Sequence, residues 1–124
     1  MIRTEAEEQE AVIRWAFYRS GWTPELRMLF HIPNGGTRNK REAVHLKELG
    51  VQAGVPDLFL PVPRNGFHGL FIEMKRNAKT ARLSPEQREW IRELTDQGYR
   101  AVVCYGFEQA RDAIVEYLAM EVPA

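Results

Sequence analysis

Two apolar segments on either side of an Asn-Gly pair constrain this 124-residue chain more than any other feature. Asp57-Leu58-Phe59-Leu60-Pro61-Val62 and Gly69-Leu70-Phe71-Ile72-Glu73-Met74-Lys75 are rich in strand-forming residues. Between them, Arg64-Asn65-Gly66-Phe67-His68 supplies the Asn-Gly of a tight hairpin turn, whose central positions take positive φ. The two segments are therefore predicted to be antiparallel neighbours.

Helices and short strands surround this hairpin. Thr4 with Glu7 three residues on forms a capping box that opens a helix. Val12, Ile13, Trp15, Ala16 and Phe17 give that helix a broad apolar face, and Gly21 closes it. Met28 to Ile32 reads as a strand stopped by Pro33-Asn34-Gly35-Gly36. A helix is predicted from Asn39 to Leu49, ended by Gly50, and another opens at Ser84-Pro85-Glu86-Gln87 and ends at Gly98. Arg100 to Tyr105 is a buried strand and Glu108 to Leu118 a final helix. The order α-β-α-β-β-α-β-α predicts an α/β domain, a mixed β-sheet flanked by helices. With no repeat or long linker, residues 1–124 read as a single domain.

Composition narrows the function classes. The 44% hydrophobic and 27% charged fractions exclude a disordered or collagen-like chain. One cysteine, Cys104, excludes an internal disulfide and reads as a small core residue. His31, His45 and His68 are dispersed and give no zinc spacing; His45 and His68 read as surface groups, while the role of His31 stays open. Trp15, Trp22 and Trp90 read as packing groups. No apolar run approaches a membrane span, the acidic N-terminus is unlike a signal peptide, and no GxxxxGK[ST] segment points to a nucleotide cofactor. The formal net charge is zero, but Arg38 to Arg82 holds nine basic residues against four acidic ones, leaving eight against thirteen elsewhere. A local positive field of this kind can recruit a polyanion despite overall neutrality.

The chemistry-bearing residues lie on the hairpin. Across it, the start of the first strand lies beside the end of the second, which brings Asp57 to Glu73 and Lys75. Two close carboxylates repel unless something compensates, and a hard divalent cation does so while keeping water in its shell. Such a cation lowers the pKa of bound water and polarises a phosphodiester. Lys75 would orient the nucleophile or stabilise developing negative charge. The other reading is an ordinary salt bridge at a strand end.

Further motifs accompany this trio: Glu5-x-x-x-Gln9, His31-Ile32-Pro33-Asn34-Gly35-Gly36, Gly54-Val55-Pro56-Asp57-Leu58, Ile72-Glu73-Met74-Lys75, Leu83-Ser84-Pro85-Glu86-Gln87 and Gly98-Tyr99-Arg100-Ala101-Val102-Val103. In this order they cover nearly the whole chain, and the set resembles the VRR-NUC branch of the PD-(D/E)xK nuclease superfamily, as found in stand-alone phage and bacterial proteins. The resemblance implies a restriction-endonuclease-like core and a metal-dependent DNA endonuclease using Mg²⁺ or Mn²⁺. It implies Asp57 and Glu73 as metal ligands, Lys75 as the catalytic lysine, and Glu5 as a first-helix acid that joins the metal. Glu8, one turn along, is the alternative to Glu5. Gln87 resembles a glutamine that faces the active site, although a capping-box partner for Ser84 explains it equally.

Asn34, Arg38, Lys40 and Arg41 read as a DNA-contacting segment, with Arg76 and Lys79 as further candidates after the ExK motif. A chain this small carries one site, so a homodimer is expected. The resemblance makes branched DNA such as a four-way junction its expected substrate, and the cytoplasm of a bacterial host its expected location. A DNA-binding module without activity, a nicking or flap nuclease acting with a partner, and an unrelated small structural protein are the competing readings.

Overall fold

A computed structural model describes residues 3–34 and 39–124. The order is α1 (Glu5–Arg19), a 3₁₀ helix (Pro24–Met28), β1 (Phe30–His31), α2 (Lys40–Glu48), β2 (Leu58–Leu60), β3 (Leu70–Lys75), α3 (Pro85–Asp96), β4 (Arg100–Tyr105) and α4 (Phe107–Leu118). The four strands form one mixed sheet in the order β1-β2-β3-β4. β1–β2 and β2–β3 are antiparallel, and β3–β4 is parallel.

The hairpin turn makes β2 and β3 antiparallel neighbours. Asn65 and Gly66 both adopt positive φ, 49° and 82°, and Arg64 and Phe67 exchange backbone hydrogen bonds across them. This is the geometry of a two-residue turn, whose twist matches that of the strands. Beyond the turn the pairing steps by one residue, and the strands place Leu60 opposite Leu70, Phe59 opposite Phe71 and Leu58 opposite Ile72. β2 ends at Leu60 instead of continuing to Val62, since Pro61 and Pro63 have no N–H to donate to a ladder. β1 is likewise only two residues, because Pro24 starts a 3₁₀ helix that takes up Met28.

Strand alternation sends Leu58, Leu60, Leu70, Ile72 and Met74 into one core with Cys104 and with Val12, Ala16, Ala110, Ile114 and Tyr117 of α1 and α4. Burial pushes the Cys104 thiol up to about 11, which keeps it protonated and inert. The alternate residues Phe59, Phe71, Glu73 and Lys75 share the other face, where α3 lies. Phe17 does not join the apolar stripe of α1: it is 83% exposed, whereas Glu8 on that helix is buried. Trp22, expected to pack, is 65% exposed and carries the Arg19 guanidinium 5.2 Å above its ring. Every residue of α2 is at least partly exposed. Among the described residues, no helix is long and apolar enough to cross a membrane.

Candidate active site

Asp57 immediately precedes β2, and extending the register by one position sets it opposite Glu73. Its placement is held from two sides. Asp57 Oδ2 accepts the Met74 N–H at 2.7 Å, while its carbonyl accepts the Ile32 N–H at 2.7 Å. His31 Nδ1 lies 2.9 Å from the same carbonyl, which assigns the proton to that nitrogen. The approach to Asp57 is shaped by Gly54, at φ +92°, where a Cβ would sit 2.7 Å from Glu86 Cβ and 2.8 Å from its backbone carbon. Only glycine lets this loop press against the first turn of α3.

That contact matters because the same turn carries Gln87. Its Oε1 accepts the Ser84 N–H at 2.8 Å, completing a capping box, and its Nε2 donates to Glu73 Oε2 at 3.1 Å. The amide has two functional ends, so the capping and site-facing readings of Gln87 are compatible.

Glu73 is 2% exposed, Asp57 8% and Lys75 6%. Burial, and then the negative charge of Asp57, pushes the Glu73 carboxyl up to about 9, against the pull of Lys75. Among the described residues, Glu73 Oε1 is buried with no hydrogen-bond partner. Such an atom is costly to leave unsatisfied. Lys75 Nζ lies 3.8 Å from Glu5 Oε2, the acid in the first turn of α1. Glu8 faces elsewhere: its Oε1 accepts the Phe107 N–H at 3.1 Å and meets Arg3 at 3.4 Å, so it caps α4. No sequence signal marks this role, since cap and helix are far apart in the chain.

The structure thus brings together Asp57, Glu73, Lys75, Gln87 and Glu5. Asn34, Lys40, Arg41, Arg76 and Lys79 are all exposed, and Arg38 lies outside the described residues, with Gly35, Gly36 and Thr37. Among the described residues, no three His, Cys, Asp or Glu side chains converge as a ready cage for a metal. Two carboxylates, one with an orphaned oxygen, nevertheless suit a hard cation that keeps most of its water.

A scan against protein families matches the VRR-NUC domain over residues 3–108. The chain belongs to the VRR-NUC family. A solved structure of a VRR_NUC domain protein is 33% identical, with a TM-score of 0.82 over 97% of this chain and 92% of that one. No curated protein matches the sequence. As a member of this branch of the PD-(D/E)xK superfamily, the VRR-NUC chain is a nuclease-type domain that acts on DNA. Its mixed four-stranded sheet with four helices is that of the matched structure's fold class.

Proposed function

We propose that this VRR-NUC chain is a metal-dependent endodeoxyribonuclease that hydrolyses phosphodiester bonds, with Asp57 and Glu73 holding Mg²⁺ or Mn²⁺. One observation carries the reading: a buried carboxylate oxygen, Glu73 Oε1, lacks a partner beside a second buried acid and a buried lysine. When bound, the cation supplies Lewis-acid polarisation of the phosphate and a water of lowered pKa.

The chain's own residues provide the rest. Met74 N–H fixes the Asp57 carboxylate and Gln87 fixes that of Glu73, so neither must reorganise as charge develops. Lys75, held near Glu5, presents an ammonium to negative charge on the attacked phosphate. Glu5 is the third acid, which would join Asp57 and Glu73 in holding the metal. Exposed Asn34, Lys40, Arg41, Arg76 and Lys79, with Arg38 adjoining in sequence, contact the DNA backbone. The enzyme acts as a homodimer on branched DNA, since one chain offers one site and a basic segment of limited extent.

The test is cleavage of labelled linear, nicked, flapped and four-way DNA in Mg²⁺, Mn²⁺ or EDTA, with mass measured by sedimentation. Wild type is expected to cut with either metal, while Asp57→Asn and Lys75→Met lose at least 100-fold. Equal rates in all three proteins refute the site. Binding without cleavage in either metal identifies a silent module.

A further inference from the structure

The catalytic face of the sheet continues into a row of aromatic rings that the acid–lysine chemistry does not use. Phe30, Phe59 and Phe71 are aligned across β1, β2 and β3 by the strand register. Phe59 stacks on Phe71 with centroids 4.2 Å apart and planes 19° apart. Phe30 meets Phe59 edge-on at 5.8 Å, and Tyr99 closes the other end against Phe71 at 5.2 Å. The row is built to fit: a Cβ at Gly69 would lie 2.8 Å from Phe59 Cε1.

Its position is set by the same register as the site. Phe59 is two residues from Asp57 on β2 and Phe71 two residues from Glu73 on β3, so both point to the carboxylates' face about 7 Å away. Phe71 is covered, but Phe30, on the edge strand, is 47% exposed. A strand whose phosphate lies at Asp57 and Glu73 has its base within reach of that ring. Phe30 contributes no charge or hydrogen bond, so what it offers a nucleotide is stacking, which any base accepts. A base inside a duplex already has its faces covered by neighbours; an unpaired one does not.

Building on the nuclease reading, we propose that Phe30 stacks on an unpaired base of the strand held at Asp57 and Glu73, which makes it a specificity determinant for DNA that is not fully paired. The occupant is a DNA base, because the ring continues the face on which the phosphate-handling residues stand.

The experiment uses the whole chain with 2-aminopurine at the unpaired position of gapped and flapped DNA. Base fluorescence and affinity are read in EDTA, and initial cleavage rates in Mg²⁺. Phe30→Ala is expected to bind the unpaired substrates about ten-fold more weakly and to lose the fluorescence quench, with fully paired duplex unaffected. Phe30→Trp should restore both. Phe30→Leu, which retains apolar bulk, should behave like Phe30→Ala while melting like wild type. Phe17→Ala, removing an exposed ring on α1, should change nothing. Equal discrimination in wild type and Phe30→Ala overturns the inference and leaves the nuclease reading standing. So does a drop in sedimenting mass for Phe30→Ala, which would assign the ring to a second copy. A wild type that neither binds nor cuts DNA removes both.

Discussion

Replacing Glu73 by Gln isolates the energetic role of the buried carboxyl. Burial holds the Glu73 carboxyl up at about 9 in the folded protein, whereas an unfolded chain releases its proton near 4.5. Between those limits the native state binds more protons, so this group's contribution is fully present below about 4.5 and is lost as pH rises towards 9. The steepest possible slope is about 1.4 kcal/mol per pH unit. From pH 6 to pH 8 the ceiling is about 3 kcal/mol, and the expected loss is about 2 kcal/mol. For a chain of this length that is a fall of about 8 °C in melting temperature. Glu73→Gln keeps an oxygen for Gln87 and an N–H₂ towards Asp57 but has nothing to titrate. Melts of both proteins at pH 6, 7 and 8 should diverge, with the variant more stable than wild type at pH 8. Groups common to both proteins cancel in the difference. Mg²⁺ at pH 8 should raise the wild-type melting temperature and leave the variant's unchanged. Parallel pH dependences in the two proteins would refute the reasoning.

Two further substitutions separate position from chemistry. Gln87→Glu retains the acceptor for Ser84 N–H but removes the donor to Glu73 and adds a like charge; cleavage rates should drop at least ten-fold with a melting shift of only a few degrees, and an unchanged rate would show the Glu73 contact to be idle. Gly54→Ala forces a Cβ into Glu86 at φ +92° and should cost about 2 kcal/mol in urea unfolding; a loss under about 0.5 kcal/mol would mean the loop yields freely.

The parts of the fold visible in the sequence were those written in local chemistry. Asn65-Gly66 specifies its turn through positive φ, and that turn makes β2 and β3 antiparallel neighbours. Thr4, Asn39 and Ser84 each start a helix by accepting a backbone N–H, and Gly50 and Gly98 end helices at positive φ. Features requiring distant partners were not visible. The brevity of β1 depends on the 3₁₀ helix before it, and the burial of Glu8 depends on a helix end it meets only after folding. Phe17 follows the apolar period of α1 yet has nothing to cover it. The aromatic row had a signal, a Phe two residues from each acid, but its third ring lies on a separate strand.

The bond between Glu8 and Phe107 joins residues 99 apart in the chain. Gly106 has no side chain to cap α4, so the last helix borrows its cap from the first. Glu5 stands one turn before Glu8 and beside Lys75. During synthesis, Asp57, Glu73 and Lys75 are all made while α4 is still missing, and α1 then lacks its contact with that helix. Closing so long a loop in one step costs about 4 kcal/mol in chain entropy. The Glu8 cap thus ties the helix that carries Glu5 to the start of the last helix, and a chain terminated before Phe107 carries the reactive residues without that tie.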